Sequence, residues 1–443
     1  MAASLRQWAE QKGDHPFIIC DNREWTYSES LNLLSSLLPP LTLPSSRPCQ
    51  RIAIICPDPV TQVFLILSIH ALNGVVVPLN PKFPEATLTH HIKTLSCSAY
   101  ISSHPIKQLK TPHLPIPELK TKIGALVRVP DSTHAQHPAS IILSSGTSSQ
   151  PKGILHTHDQ HQANARACTK ALHFQGNHRW LLSLPLHHVS GMAILYRVLE
   201  KGASLVIKNP KSPISRTCLK HQVSHVSLVS TQLRQWLEDP APYPNLQAVM
   251  LGGSEIPNAL IQKALQNKLP IHLSYGLTET ASQVCISKKI TQKSPIQSAG
   301  KPGPHAQIKV LKSGQIAIKS QSLCSGYIDQ DLIKLPLSKD GWFITQDIGQ
   351  LNHKGELSIK GRMDRAFLSG GEVIQPEKIE ARLCAHPAIS HAKVHPQKDP
   401  EFGNRPVAYI QTKADIDPNT IKRYLKQYLA KFECPELIFE KSA

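Results

Sequence analysis

The stretch "ASIILSSGTSSQPKG", residues 139–153, joins a short apolar run to a loop of small hydroxyl residues and glycines. The apolar half predicts a buried strand, whereas Ser, Thr and Gly at this density do not form a good helix or pack a core. A loop at the end of an α/β strand lies where such sheets bind ligands, and its N–H groups and hydroxyls suit a triphosphate. It is not a Walker loop, because Lys152 follows a proline and precedes Gly153 instead of Ser or Thr. A Ser-rich turn without function is the alternative.

Similar apolar runs recur over the first 250 residues and alternate with helix-like stretches. The strand-like runs are "RIAIICP" (51–57), "GVVVPLN" (74–80), "SAYISS" (98–103), "ASLVIK" (203–208), "HVSLVS" (225–230) and "LQAVMLGG" (246–253), and the helix-like stretches are 59–73, 156–174 and 256–268. This alternation predicts α/β layers with mostly parallel sheets.

The texture of the sequence changes twice further along the chain. From about residue 300, alternating strands separated by Gly turns predict an antiparallel β-rich subdomain. The last part predicts a compact α+β unit with a Gly-Gly turn, helices at 376–385 and 418–430, and strands near 391–395 and 406–412. The expected architecture is α/β, with a large N-terminal domain of layered sheets and helices (1–361), a hinge (362–364) and a small mobile α+β C-terminal domain (365–443).

Composition limits the class of protein. The 443 residues are too many for one ordinary core, and a formal charge of +18 favours anionic partners such as nucleotides, coenzyme A, nucleic acid or membrane surfaces. A generally basic composition is the alternative, because no block of five or six basic residues occurs.

Targeting and membrane signals are also missing from the sequence. The ten cysteines include no C-x-x-C pair, which argues against a zinc site or a disulfide framework and fits a reducing cytosol.

The N-terminal stretch lacks the apolar core of a signal peptide. The most apolar window, 63–79, contains His70, Asn73 and Gly74, so it predicts a buried helix followed by a buried strand. We therefore expect a soluble, cytoplasmic protein.

Two further stretches carry chemistry. In "SYGLTETASQV" (274–284), Glu279 could bind Mg²⁺, which usually takes one or two carboxylates plus phosphates, and Tyr275 offers a flat face to a purine. The alternative is a helix N-terminus with Thr278 as its cap and Glu279 in the first turn, and both interpretations can hold at once. In "MLGGSEIP" (250–257), a strand ends in glycines where a base or ribose could approach the backbone closely.

In combination these motifs resemble the adenylate-forming superfamily of acyl-CoA synthetases, nonribosomal adenylation domains and luciferases, over about residues 15–432. The short length, "LPLHHVSGMAILYR" (184–197) and "YGLTETASQV" are most similar to the o-succinylbenzoate–CoA ligases of menaquinone biosynthesis. The resemblance implies ATP, Mg²⁺ and coenzyme A as cofactors, with acyl-adenylate and then acyl-CoA formation from a small-molecule carboxylic acid. It implies neither a nucleic-acid nor a membrane partner, and a homo-oligomer is possible.

The resemblance also implies roles for individual residues. The catalytic set is Thr147, Lys152, His188, Thr278 and Glu279, with Glu279 as the metal ligand. The cofactor-binding set is Ser144, Ser145, Gly146, Gly252, Gly253, Ser254, Tyr275, Gly276, Asp347, Arg362, Gly370 and Gly371. Asp347 and Arg362 would bind the ribose, and Gly370 and Gly371 would line the path of the coenzyme A thiol. His188 and Arg197 would contact the acid, with Arg197 against a substrate carboxylate or, alternatively, on a helix surface; Asp364 is the expected hinge.

Several positions depart from the family pattern. Ser149 replaces a usual glycine, and T-Q-D replaces T-G-D before Asp347. The histidines of "HTHDQH" (156–161) are expected on a helix surface rather than around zinc. The family continues past "LAKFECPE" (429–436) to a glycine-rich segment with a catalytic lysine that this sequence lacks, so we expect a truncated C-terminal domain and slow adenylation. Other acyl or aryl acid–CoA ligases, a non-catalytic adenylate-binding relative and a basic nucleic-acid binder are the competing hypotheses.

Overall fold

The structure is a computed structural model, and it describes the chain except for residues 22, 39–48, 120–135, 145–151, 241, 254–255, 293–297, 370–371, 401, 414–415 and 440–443. Its α-helices are α1 (Ala2–Lys12), α2 (Tyr27–Leu37), α3 (Pro59–Ala71), α4 (Glu85–Thr94), α5 (His158–Ala171), α6 (Val189–Lys201), α7 (Ile214–Lys220), α8 (Ser230–Glu238), α9 (Asn258–Gln266), α10 (Pro376–Ala385) and α11 (Pro418–Lys426). Short 3₁₀ turns span Thr278–Thr280 and Lys431–Glu433.

The strands of the first two-thirds of the chain are β1 (Pro16–Cys20), β2 (Arg23–Thr26), β3 (Arg51–Ile55), β4 (Val75–Pro78), β5 (Ala99–Ser102), β6 (His113–Pro115), β7 (Pro138–Leu143), β8 (Gly153–Thr157), β9 (Arg179–Leu181), β10 (Ser204–Ile207), β11 (His225–Leu228), β12 (Ala248–Leu251), β13 (Ile271–Leu277) and β14 (Ser282–Ile286). The remaining strands are β15 (Lys301–Pro302), β16 (Ala306–Val310), β17 (Gln315–Ser320), β18 (Gly326–Asp329), β19 (Asp331–Lys334), β20 (Phe343–Leu351), β21 (Leu357–Arg362), β22 (Phe367–Ser369), β23 (Glu372–Ile374), β24 (Ile389–Asp399), β25 (Gly403–Thr412) and β26 (Glu436–Phe439).

Two large sheets form the body of the N-terminal domain. One has the order β15-β14-β13-β12-β11-β9-β10-β1-β2 and is parallel from β13 to β1; the other has the order β19-β18-β8-β7-β4-β3-β5-β6 and is parallel from β7 to β6. Their facing surfaces share one core with helices α3, α5 and α6, which includes Phe64, Ile142, Trp180 and Leu195. The predicted alternation of strands and helices thus gives α/β layers, as expected.

Local signals in the sequence fix where the central helices begin. Asp58 caps α3 by accepting a hydrogen bond from the backbone N–H of Thr61, and a proline occupies the first helical position. Thr157 and Gln160 form a capping box at α5. Helix α6 ends at Gly202, whose φ of 59° is the left-handed conformation that glycine adopts without strain. These starts place α5 and α6 side by side between the sheets.

The rest of the chain forms smaller units. Strands β16, β17, β20 and β21 make an antiparallel sheet, as the Gly-turn texture predicts. The C-terminal unit packs α10 and α11 on the sheet β24-β25-β26 around its own apolar core, with the hairpin β22–β23 beside it. The predicted fold class, a large α/β domain with a β-rich subdomain and a small C-terminal domain, is confirmed.

The prediction that the histidines of residues 156–161 lie on a helix surface was wrong. His156 lies in β8, and His158 and His161 lie in the first turn of α5; all three are buried. The ring of His161 stacks on Tyr196 at 4.5 Å, and the ring of His158 lies 4.6 Å from that of His70. These side chains face the layer between the sheets because α5 is sandwiched there. No group of three or more His, Cys, Asp or Glu side chains in the described part of the chain could hold a metal ion.

Candidate active site

A polar triad lies where β13, β20 and β21 meet. Asp347 accepts a hydrogen bond from the Tyr275 hydroxyl (2.7 Å) and an ionic contact from Arg362 (Nη1–Oδ1, 3.2 Å). Burial raises the pKa of Asp347, while the bonds from Tyr275 and Arg362 oppose that shift. A carboxylate with spare lone pairs and an adjacent guanidinium can bind a vicinal diol such as a ribose. The Tyr275 side chain is 8% exposed, so its hydroxyl is engaged with the aspartate instead of lying free.

A second set of side chains surrounds Glu279. The Tyr327 hydroxyl of β18 donates to Glu279 Oε1 (3.1 Å), and the Lys152 ammonium lies 5.2 Å from the centre of the same ring. Glu279 is half-buried and forms no ion pair with any cation in the described residues. A single carboxylate that shares a tyrosine contact with a lysine fits Mg²⁺ held mainly by phosphate oxygens.

Tyr327 is absent from the sequence-based site. It lies 48 residues from Glu279 in "SGYID", a short strand with no motif of its own. It reaches the site because β18 pairs antiparallel with β8, which also places it beside Lys152. The aromatic residue after Gly326 was the available signal, although the sequence alone gives no partner for that strand.

Ser144 and Lys152 flank the predicted phosphate loop on its two sides. The backbone N–H of Ser144 donates to the Lys152 carbonyl (2.9 Å), and the Lys152 N–H donates to Ser144 Oγ (3.3 Å). These two bonds continue the pairing of β7 with β8 beyond the strand ends. Several predicted residues lie outside the described residues: Ser145, Gly146, Thr147, Ser149, Ser254, Gly370 and Gly371.

A strained turn follows the Thr278–Thr280 segment. Ala281 and Ser282 have φ values of 53° and 120°, which non-glycine residues rarely adopt. The Thr280 hydroxyl holds the turn by donating to the Ser282 carbonyl (2.6 Å). A Cβ on Gly276 would lie 2.1 Å from that carbonyl oxygen, so the close approach of backbone to backbone requires glycine. The alternative in which Thr278 caps a helix is not observed, because the segment is one 3₁₀ turn that Leu277 precedes.

The glycines at the end of β12 lie beside β13. A Cβ on Gly252 would lie 2.5 Å from Ser274 Oγ, and Gly253 has a φ of 82°. This strand end therefore brings its backbone close to the segment that leads into the Tyr275 motif.

Arg197 is buried within the N-terminal domain, and the alternative of a surface arginine on a helix is wrong. Its side chain is 0% exposed, and its guanidinium lies 5.0 Å from the Trp180 ring. Nη2 donates to Gln283 Oε1 and to Ser282 Oγ (3.3 Å), whereas Nε and Nη1 have no oxygen or nitrogen partner in the described residues. The guanidinium thus lies directly beneath the strained turn that follows Glu279.

Two other predicted residues lie near element boundaries. His188 precedes the first residue of α6, and its ring lies 4.6 Å from that of His187. Asp364 follows β21 and accepts two hydrogen bonds from Arg362, at 2.9 and 2.7 Å. Arg362 therefore contacts both the aspartate of the polar triad and the expected hinge.

Similarity to known proteins defines the class to which the chain belongs. The model of the "AMP-binding enzyme" family matches residues 5–328, and the "AMP-binding enzyme C-terminal domain" matches residues 378–441. The chain belongs to the AMP-binding enzyme family. It is 32% identical over 363 residues to the 2-succinylbenzoate–CoA ligase of Escherichia coli K12, an alignment that covers 81% of this chain and 76% of that protein.

Solved structures give the same result for the fold. An arginine-to-lysine variant of E. coli MenE with bound OSB-AMS has 27% identity and a TM-score of 0.86, and covers 99% of this chain and 95% of that one. The o-succinylbenzoate CoA synthetase of Bacillus subtilis in complex with the acyl-adenylate OSB-AMP has a TM-score of 0.92 at 24% identity, covering 99% and 94%. No helix in the described residues has the length and apolar character needed to cross a membrane.

Proposed function

We propose that this chain is an AMP-forming acid–CoA ligase that converts o-succinylbenzoate, ATP and coenzyme A into o-succinylbenzoyl-CoA, AMP and pyrophosphate, as a step of menaquinone biosynthesis. One observation carries the proposal. The side chains suited to bind a nucleotide, around Asp347 and Glu279, lie near the buried Arg197, which has no acidic partner in the described residues. The named ligase relatives and the MenE structures support the same reaction.

The first step joins the acid to the nucleotide. One carboxylate oxygen of the substrate attacks the α-phosphorus of ATP, the bond from that phosphorus to the oxygen bridging to the β-phosphate breaks, and pyrophosphate leaves. Lys152 and Thr147 would stabilise charge on the departing phosphates, and Glu279 would hold the metal. Thr278 lies at the same turn, and Asp347 with Arg362 would fix the ribose.

The second step transfers the acyl group. The coenzyme A thiol attacks the adenylate carbonyl, the proton of the thiol is lost, and AMP leaves with the electrons of its mixed-anhydride bond. We propose that the C-terminal domain (365–443) turns about 362–364 between the steps, relative to an N-terminal domain that ends at 361. Gly370 and Gly371 would then line the thiol path.

Arg197 and His188 would contact the acid. Burying the Arg197 guanidinium costs free energy, because none of the described carboxylates pairs with it. A second carboxylate on the substrate would compensate this buried charge. His188 directly precedes α6, the helix that carries Arg197. We further propose a cytoplasmic location, which fits the ten free cysteine thiols, all of them in the described residues. A homo-oligomeric state stays a prediction.

The test is a substrate panel. The purified chain is incubated with ATP, Mg²⁺, coenzyme A and one acid at a time, and thioesters are detected by mass spectrometry. The panel holds o-succinylbenzoate, benzoate, aliphatic acids and malonate. We expect o-succinylbenzoyl-CoA as the main product. A different thioester as the main product would assign another acid–CoA ligase, and no thioester or adenylate with any acid would favour a non-catalytic relative.

Tyr327→Phe should weaken the use of Mg²⁺. The variant loses the hydroxyl that donates to Glu279 and keeps the ring beside Lys152. Hydrogen bonds to charged groups are worth about 1.5–3 kcal/mol, so the Mg²⁺ concentration for half-maximal adenylation should rise about tenfold. Tyr409→Phe in the C-terminal sheet is the matched control. An unchanged Mg²⁺ requirement in Tyr327→Phe would contradict this role.

Asp364→Pro should slow thioester formation and spare adenylation, because proline fixes φ where a hinge must change it. Asp364→Ala is the control, since it also loses the pair with Arg362 but keeps a free φ. We expect thioester formation from adenylate to be about tenfold or more slower in the proline variant than in the alanine variant. Equal decline of both steps would make Asp364 a structural residue.

A further inference from the structure

The side chains that contact the Arg197 guanidinium in the described part of the chain are neutral. Its Nη2 donates to Gln283 Oε1 and to Ser282 Oγ, both at the start of β14. The Cys168 thiol also lies against it, and burial raises the pKa of that thiol, so it stays uncharged. In the described residues no carboxylate forms an ion pair with Arg197. The positive charge is therefore buried, and no carboxylate among the described residues compensates it.

Gln283 is itself locked in one orientation. Its Nε2 donates to Asn164 Oδ1 at 2.9 Å and lies 3.5 Å from the Asn164 carbonyl oxygen. Asn164 Nδ2 in turn donates to the carbonyl oxygens of Thr280 (3.2 Å) and Gln283 (2.8 Å). Because these bonds use the amide nitrogen of Gln283, its amide oxygen must face Arg197. Asn164 on α5 thus ties the arginine partner to the strained turn behind Glu279.

A glutamate would have the same length and would bind Arg197 more strongly. It would also cancel the charge, since an internal ion pair would compete with any carboxylate of a ligand. The glutamine keeps the guanidinium in place without neutralising it, and no oxygen or nitrogen atom of the described residues pairs with Nε or Nη1. An amide in this position suits a site that reserves its charge for an anionic ligand group.

We infer that Gln283, fixed by Asn164, is a positioning residue that sets specificity: it orients Arg197 and leaves its charge for the second carboxylate of a dicarboxylic substrate. This inference rests on the proposed function. If it is right, the enzyme should prefer an acid with two carboxylates over an acid of the same shape with only one.

Gln283→Glu tests the inference, with Gln283→Met as the uncharged variant of similar length. The substrates are o-succinylbenzoate and two monocarboxylate counterparts, 4-oxo-4-phenylbutanoate and 2-butyrylbenzoate, each of which keeps one of its two acids. In Gln283→Glu, kcat/KM for o-succinylbenzoate should fall about 10- to 100-fold relative to the better counterpart, through KM, as expected for loss of one charge pair. Gln283→Met should weaken the preference for the dicarboxylate by about threefold to tenfold, because this variant loses only the hydrogen bond that orients Arg197.

Circular dichroism and thermal melting show whether each variant is folded. A folded Gln283→Glu protein that keeps the wild-type preference for the dicarboxylate overturns the inference and leaves the proposed function standing. If Gln283→Glu does not fold, Gln283→Met decides, and an equal decline for all three acids overturns the inference. A wild-type chain that does not use o-succinylbenzoate overturns both. Arg197→Lys serves as the reference for direct loss of the bidentate grip on the acid.

Discussion

Glu279→Gln is expected to lower the rate of acyl-adenylate formation by about 10²–10³, the usual effect of removing one preorganised electrostatic contact. The amide keeps the shape of the side chain and can still accept a hydrogen bond from Tyr327, so the fold should persist. What is lost is the anionic oxygen that would hold Mg²⁺ on the phosphates. The rate is measured as acid-dependent pyrophosphate release at sub-saturating Mg²⁺.

The control is Glu356→Gln, a half-buried glutamate in the turn after β20 that accepts a hydrogen bond from Asn352. It should release pyrophosphate at the wild-type rate. Higher Mg²⁺ should partly restore Glu279→Gln, because the remaining phosphate ligands still bind the ion. A Glu279→Gln enzyme with the wild-type rate at every Mg²⁺ concentration would remove Glu279 from the metal site.

Acid is expected to unfold the protein between about pH 6.5 and pH 4. Burial lowers the pKa of His70 to about 3 and of His156 to about 4, and it holds the pKa of His161 well below the usual value. In the unfolded chain these rings titrate near pH 6.5, so in this window the unfolded state binds more protons than the native state. The free energy of unfolding therefore falls as pH falls, by about 1.4 kcal/mol per pH unit for each ring.

Three such rings lower the free energy of unfolding by about 4 kcal/mol for each pH unit of acidification. This is a large fraction of the typical free energy of unfolding of about 5–15 kcal/mol. The measurement is urea unfolding at intervals from pH 7.5 to 4.5. His353→Asn, in an exposed turn, should leave the slope unchanged. A free energy of unfolding that is flat over this range would contradict the account. His156 donates to the carbonyl oxygen of Thr278 (2.8 Å), and this bond favours the protonated ring and so partly opposes the effect of burial on its pKa.

The fold was largely predictable from the sequence because its signals are local. The helix predicted at 376–385 is α10 (Pro376–Ala385), which begins with a proline at its first position. The apolar run at 51–57 became β3, since such a run has only one stable environment in an α/β protein. The strand pairing of β8 with β18 was not predictable, because it joins segments more than 160 residues apart.

The site divides in the same way. Tyr275, Glu279 and Asp347 belong to contiguous motifs, which identify them before any contact is known. The roles proposed for Tyr327 and Gln283 depend on contacts with residues distant in the chain, so no spacing in the sequence reveals them. The buried histidines were misplaced because a polar run at a helix start is typical of an exposed helix, whereas here α5 lies between two sheets.

The most direct test of the central claim is ATP–pyrophosphate exchange without coenzyme A. With Mg²⁺, ATP and labelled pyrophosphate, the chain should incorporate label into ATP only when o-succinylbenzoate is present, because reversal of adenylation needs the acyl-adenylate. Mass spectrometry of the same mixture should show o-succinylbenzoyl-AMP, which coenzyme A then converts to the thioester and AMP. Exchange that proceeds equally without any acid, or no exchange and no adenylate with o-succinylbenzoate, would contradict the account.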